Sequence, residues 1–228
     1  VRPLVTEQGT TATASLSREH VVFNPVPGLL AIAGGKYTTY RVMAKDAVDL
    51  AVKQLPGTIE KSCTERVPLI GADGYQALWN TRARIAERTG LDGPRVEHLL
   101  GRYGSAISDL LELIDQDKNL GEPLESAPKY LKAEAVYAVS HEGALHLDDI
   151  LARRTRISID TWDRGDGAAQ EVAELVAPLL SWDAEAIDRE VGHYRTRVAA
   201  ERESQEQLDD LTADAARLGA PDVRVGAG

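Results

Sequence analysis

From Tyr75 onward the apolar residues of this chain return every third or fourth position, the period of a helix face. Tyr75, Leu78, Trp79, Arg82, Ile85 and Ala86 trace one predicted helix closed by Gly90. Pro94 opens a second, carrying Val96, Leu99, Leu100 and Tyr103, because proline suits the first turn of a helix. Gly104-Ser105 starts a third, whose stripe is Ile107, Leu110, Leu111 and Ile114. After a polar loop from Asp115 to Pro128, Leu131, Ala135, Val136 and Val139, then Leu147, Ile150 and Leu151, predict a helical pair. Glu142/His146 and Asp149/Arg153 stand there at the i,i+4 offset that favours ion pairing. Val172, Leu175, Val176 and Leu179 share a further helix that Pro178 should kink or shorten. Ile187, Val191, Tyr194 and Val198 share the last, which fades through Leu208 and Leu211. With no fixed-period repeat, residues 75–218 read as one compact helical domain able to fold by itself, and 219–228 as a disordered tail.

The first 35 residues have a different texture, rich in Thr, Ser, Val, Gly and Pro. Val21-Val22-Phe23 and Leu29 to Ala33 are short apolar runs around Asn24-Pro25-Val26-Pro27-Gly28, which predicts two buried strands joined by a turn. Gly34-Gly35 then leads into Val42, Ala44, Ala47, Val48, Leu50 and Ala51 at helical spacing, with Thr38 or Thr39 placed to cap. Pro56-Gly57 stops this helix, so residues 1–57 form one part and 58–74 a connector.

Charge narrows the function. Acidic residues outnumber basic ones 36 to 26, for a net charge of −10. A surface of that sign disfavours nucleic acid and anionic lipid as partners held by charge alone. Cys63 is the single cysteine, so the chain can form neither an internal disulfide nor a cysteine-pair zinc site, which suits the cytoplasm. The longest uncharged run, Val21 to Gly35, is too short and too broken by Pro and Gly to span a bilayer. The chain reaches Arg2-Pro3 at once with no signal-peptide pattern, and its start on Val1 without Met suggests a fragment or a processed chain.

The segment Gly34-Gly35-Lys36-Tyr37-Thr38-Thr39 carries the most chemistry. A glycine turn that frees a helix N-terminus favours an anion, and Lys36 adds a full charge beside it. It is not a P-loop, since Leu30 stands where the first glycine is needed and Tyr37 follows the lysine. On these residues alone, a tight strand-to-helix turn with a solvated lysine explains them equally well. Arg2 and Arg18 are further cations able to grip a phosphate in a bidentate manner, though either taken singly reads as a surface arginine. His141 and His146 stand five apart, off the spacing of a metal-binding helix, so pairing on or between helices is preferred and no metal site is expected. Cys63 has no neighbouring His to activate it. The Arg153-Arg154-Thr155-Arg156 cluster reads as a charge group at a helix C-terminus.

In combination, VRPL at 1–4, SREH at 17–20, GLLAIAGGKYTTYRVMAKDAVD at 28–49 and AEAVYAVSHEGALHLDDILARRTR at 133–156 resemble the C-terminal half of FAD-dependent glycerol-3-phosphate dehydrogenase. The likeness covers nearly the whole chain except the tail. It implies an α+β fragment: the terminal strands and helix of an FAD-binding, glutathione-reductase-like (Rossmann) domain, then an all-α C-terminal domain. Residues 1–57 would be the end of the FAD- and substrate-binding domain. The family's GxGxxG strand and helix has no counterpart here, so a missing N-terminal half is expected upstream.

The resemblance implies oxidation of sn-glycerol 3-phosphate to dihydroxyacetone phosphate, with hydride passing to FAD and electrons to quinone. Transferred by motif, Arg2, Arg18 and Lys36 bind substrate, and Gly34, Gly35, Lys36, Thr38 and Thr39 line the flavin. No catalytic residue falls in this chain, since the family's proposed general base lies upstream and His20 does not receive that role. Tyr37 stands where relatives often carry Trp or Leu. A homodimer, and a cytoplasmic enzyme peripheral on the cytoplasmic membrane face, are among the family's arrangements. The alternatives are a glycerol-3-phosphate oxidase using oxygen and a non-enzymatic helical interaction module.

Overall fold

The computed structural model describes residues 20–220. The chain divides into two compact units between Leu69 and Ile70.

In the first unit, β1 (His20–Val26) and β2 (Leu29–Gly34) form an antiparallel hairpin, with Val22 opposite Ile32 and His20 opposite Gly34. Phe23 to Val26 carries an irregularity in register. Side chains alternate across the pleat. His20 and Val22 share the space beside Asp46, Asp49 and Leu50 of α1 (Tyr40–Val52), while Val21 and Phe23 are exposed. The expectation of buried strands is therefore corrected: Val21, Phe23 and Ile32 are 39%, 43% and 41% exposed. Among the described residues this two-stranded ribbon has one helix to lean on and no second layer. The parallel strands of a Rossmann sheet are not among the described residues, whose strands are the β1–β2 pair.

The second unit is all helical. Where one helix was expected over 75–90, there are two, α2 (Tyr75–Asn80) and α3 (Arg82–Thr89). Thr81 leaves the helical region at φ −104° and its hydroxyl donates to the Ala77 carbonyl at 2.9 Å, satisfying the end of α2. Arg82 adds a bond to Trp79 O at 2.9 Å. Gly90, at φ 78°, closes α3. α4 (Gly93–Tyr103) begins on Asp92, whose carboxylate accepts from Arg95 N at 2.8 Å, with Pro94 in its first turn. A 3-10 turn at Gly104–Ala106 leads into α5 (Ile107–Gln116).

The loop after α5 is more ordered than its polarity suggests. It holds a 3-10 turn at Lys118–Gly121 and an antiparallel bridge between Pro123 and Leu131. α6 (Lys132–Ser140) follows, and residues 133–138 are all buried. A helix enclosed all round must face two partners. Ala133, Val136 and Tyr137 close the core of α4 and α5, whereas Ala135 and Ala138 join that of Leu147, Ile150, Val172, Val176, Val191 and Tyr194. The second member of the expected helical pair is a π-helical turn, Asp149–Arg154, in which Thr155 N and Oγ1 both donate to Ile150 O.

α7 (Ile157–Asp160) is a single turn, after which α8 (Asp166–Leu180) and α9 (Ala184–Glu206) pack as neighbours. Pro178 does not stop α8 at its own position: the helix runs on to Leu180, and because proline has no N–H the Glu174 carbonyl one turn back lacks that helical donor. The fading end instead forms α10 (Asp210–Leu218), which returns along α9 and is capped by Asp209 through the Leu211 and Thr212 N–H groups, both at 3.0 Å. Most of the expected tail, residues 221–228, lies outside the described residues.

Candidate functional site

β2 delivers the chain to Gly34 and Gly35, which hold φ 77° and 83°. A Cβ at Gly35 would stand 2.6 Å from Met43 Sδ and 3.2 Å from His20 Cβ, on a backbone that disfavours any L side chain. Lys36 then returns to extended geometry, and a 3-10 turn at Tyr37–Thr39 precedes α1. The expected cap takes an unusual form. Thr39 Oγ1 accepts from Lys36 N at 3.3 Å and donates to Lys36 O at 3.0 Å, closing the turn upon itself. Tyr37 and Thr38, first in the turn, have N–H groups without a helical acceptor. Lys36, Tyr37, Thr38 and Thr39 are exposed, and Lys36 forms no ion pair among the described residues.

Five of the expected site residues, Gly34, Gly35, Lys36, Thr38 and Thr39, thus lie in one six-residue turn. Arg2 and Arg18 lie outside the described residues. Two features of this unit had no signal in the sequence spacing. His20 Nε2 meets Asp46 Oδ2 at 2.7 Å across the strand-helix pair. Arg41 donates to the carbonyls of Thr64 and of Val67, the latter at 2.8 Å, pinning the connector that also carries the exposed Cys63.

The residues weighed as a metal helix take other partners. His141 stacks on Tyr137 at 4.6 Å, while His146 Nδ1 pairs with Glu190 Oε1 of α9 at 2.9 Å. The expected Glu142/His146 pair is therefore corrected: His146, in the turn before the π-helical segment, pairs with Glu190 of α9. The segment between them is a turn, so the i,i+4 rule does not apply. Burial pushes the Glu142 carboxyl up, against the pull of Arg154 and Arg102. Among the described residues, no group of three or more His, Cys, Asp or Glu could hold a metal. Arg153 does pair with Asp149 at 3.1 Å, and Arg154 donates to Glu142 O at 3.0 Å, so this cluster serves the local chain.

Sequence reasoning also missed Glu134, wholly buried in α6. Its carboxylate accepts from Tyr103 at 3.0 Å and Leu131 N at 2.9 Å, and meets His98 at 3.1 Å. Burial first, and the Glu134 charge next, hold the Tyr103 phenol well above its ordinary value.

Along the chain, a strand–glycine turn–helix unit is followed by a helical unit with two hydrophobic cores. The chain belongs to the family described as the C-terminal domain of alpha-glycerophosphate oxidase, whose sequence pattern matches residues 62–187. It is 55% identical over 224 residues to glycerol-3-phosphate dehydrogenase 2 of Mycobacterium bovis, covering 98% of this chain and 38% of that protein. The mitochondrial glycerol-3-phosphate dehydrogenase of Arabidopsis thaliana is 37% identical over 80% of this chain and 31% of its own length. That of Bos taurus is 30% identical over 93% of this chain and 29% of its own length. The chain thus spans under two fifths of the length of these relatives.

Proposed function

We propose that the complete protein oxidises sn-glycerol 3-phosphate to dihydroxyacetone phosphate, and that this chain contributes cations and an anion-receptive turn to the site. The reading is carried by Lys36, an exposed cation without an ion-pair partner among the described residues. It directly follows two positive-φ glycines in a chain 55% identical to a protein named as a glycerol-3-phosphate dehydrogenase.

The turn suits a flavin. Gly34 and Gly35 bring no side chain of their own, although Met43 and His20 crowd Gly35 from within the unit, and the Tyr37 and Thr38 N–H groups open a helix start without helical acceptors. FAD, when bound, would supply the hydride acceptor, with quinone as the sink for its electrons. Lys36 and the turn N–H groups would favour negative charge beside them without reorganising. Thr38 has a free part to play in lining, whereas the hydroxyl of Thr39 is committed to Lys36. Arg2 and Arg18 would hold the phosphate dianion through charge-assisted hydrogen bonds. The relatives' names support a dehydrogenase over an oxygen-using oxidase. The setting that accompanies this reading is the cytoplasm, with peripheral attachment to the membrane. No helix among the described residues is long and apolar enough to cross a bilayer.

The test is to purify the complete protein, record its flavin absorbance, and follow reduction of a dye by glycerol 3-phosphate in the absence of oxygen. Turnover with retained flavin supports the reading. A flavin-loaded protein inert toward glycerol 3-phosphate rules it out, and peroxide formed in proportion to turnover in air would assign the oxidase instead.

A further inference from the structure

α3 and α5 both pack on α4, and between them the helical unit leaves a hollow of about 420 Å³. Ile85 of α3 and Ile107 and Leu111 of α5 give it a buried apolar floor, and Leu78 of α2 adds to the apolar wall. The size falls within the range of small-molecule sites, roughly 300–1,000 Å³, and such sites pair apolar walls with a few polar groups.

The polar groups here are basic. Arg84 and Arg88 stand one turn apart on a single face of α3, and both line the hollow. They are exposed, and neither forms an ion pair or a side-chain hydrogen bond among the described residues. Arg82 of the same helix is committed instead, to Glu97 at 2.7 Å and to Trp79 O at 2.9 Å. The hydroxyls divide in the same way. Ser108 donates to Ser105 O at 3.1 Å and Thr81 to Ala77 O at 2.9 Å, whereas the Ser105 hydroxyl, also on the hollow, takes no hydrogen bond among the described residues. An arginine can lay its methylene stem on an apolar wall and keep its guanidinium at the water's edge. The hollow thus joins an apolar floor to two uncommitted cationic forks, on a chain whose net charge is −10.

We propose that this hollow binds a fatty acid of about eight to ten carbons, with its tail on Ile85, Ile107 and Leu111 and its carboxylate between Arg84 and Arg88. At roughly 30 Å³ for each water-sized group, the cavity accepts a chain of that length with room to spare. A carboxylate matches the guanidinium fork with two parallel hydrogen bonds. A monoanion suits the site better than a phosphate dianion, because the Arg88 charge is already shared: the Asp115 carboxyl is held below its ordinary value by Lys118 foremost and by Arg88 as well.

The test reads binding, so it stands whether or not the complete protein turns over glycerol 3-phosphate. Isothermal titration of the complete protein at neutral pH compares decanoate, decanol and decyl phosphate. Decanoate is expected to bind once per chain with a Kd of about 100 µM, a modest efficiency for a ligand of that size, and decanol about tenfold more weakly for want of the charged hydrogen bonds. Arg84→Gln and Arg88→Gln should each weaken decanoate about tenfold and leave decanol unchanged. Ser108→Phe, at an exposed position of α5 beside the hollow, should fill it and abolish binding of both. Melting temperature is measured for every variant, and the head-group comparison needs no variant at all. No saturable decanoate binding below about 1 mM overturns the inference, as does decanol binding as tightly as decanoate. Decanoate affinity unmoved by the arginine variants, or surviving in a normally folded Ser108→Phe protein, places the ligand elsewhere and overturns it too. Decyl phosphate binding more tightly than decanoate overturns the assignment to a carboxylate.

Discussion

Glu134 and His98 meet inside the helical unit, with Nε2 of the histidine 3.1 Å from both carboxylate oxygens, joining α6 to α4. Because Glu134 is wholly buried, its carboxylate depends on these contacts, on those of Tyr103 and Leu131, and on the Arg102 guanidinium 3.7 Å away. Replacing it by alanine strands three donors at the seam between the two cores. Glu134→Ala should therefore lower unfolding free energy by about 3–5 kcal/mol, as removal of one partner from a buried charged cluster does. Urea unfolding followed by circular dichroism measures this, and a loss below about 1 kcal/mol would show that water reaches the cluster freely.

Gly104 packs backbone on backbone. A Cβ there would stand 1.9 Å from Gly71 O, the same oxygen that accepts from Ser105 N at 2.8 Å, at a positive φ of 58°. Gly104→Ala should cost at least ~2 kcal/mol, since neither backbone can yield without breaking that bond. Gly101, within α4, meets nothing within 4 Å, so Gly101→Ala should stabilise by roughly 0.5–1 kcal/mol through helix propensity. Thermal melts of the two variants should move in opposite directions. A common direction would contradict the contrast between the crowded Gly104 and the open Gly101.

Asp163 caps the approach to α8, accepting from Gly165 N at 3.0 Å and Gly167 N at 2.7 Å. Although burial works the other way, bonds from Gly167, Thr161 and Gly165 bring its carboxyl below the ordinary value of 3.8. A depressed folded pKa gives stability that is present above the unfolded value and lost as pH falls through the folded one. Asp163→Ala should thus cost about 1 kcal/mol at pH 7, the usual worth of such a cap, and progressively less below pH ~4. Melting the pair across pH 3 to 7 gives the answer, and a difference that does not vary with pH would assign the cost to packing alone.

Local signals in the sequence were the ones that could be read. Asp92 with Pro94, and Gly90, mark helix ends because their chemistry acts within one turn. The stripe from Val96 to Tyr103 gives its buried face by period alone. Glu134 could not be found in this way, since its side-chain partners lie 31 and 36 residues earlier. The break at Thr81 depends on a hydroxyl turning back to Ala77, which the apolar pattern passes over. In the candidate site, Gly34-Gly35-Lys36 was legible as a contiguous turn, whereas His20 and Asp46 are 26 residues apart and look like two ordinary polar positions.

In the complete protein, Arg18→Ala should raise KM for glycerol 3-phosphate far more than that for an analogue without phosphate. A lost charge-assisted contact removes about 1.5–3 kcal/mol of binding. Lys36→Met should lower both turnover and the flavin reduction potential, because the cation favours negative charge beside it. Equal KM effects on the two substrates would sink the first assignment, and an unaltered potential would confine Lys36 to substrate binding.

This chain by itself should not retain FAD. What it offers at the turn is exposed: Lys36, Tyr37, Thr38 and Thr39 all face solvent, and Thr39 is engaged with Lys36. A helix terminus acting on an exposed anion contributes roughly 0.3–1 kcal/mol, and an exposed ion pair adds up to about 1 kcal/mol more. Micromolar affinity requires about 8 kcal/mol. The glycine turn therefore supplies a minor share, and the larger share must come from surfaces that bury the adenine and isoalloxazine rings. The exposed apolar side chains Val21, Phe23 and Ile32 on the hairpin show that the first unit lacks such enclosure among the described residues. Mixing the purified chain with FAD, desalting it and recording the visible spectrum decides the matter. Protein emerging with no flavin band is the expected result, and stoichiometric flavin would mean that the turn and its neighbours bind far more tightly than their exposure allows.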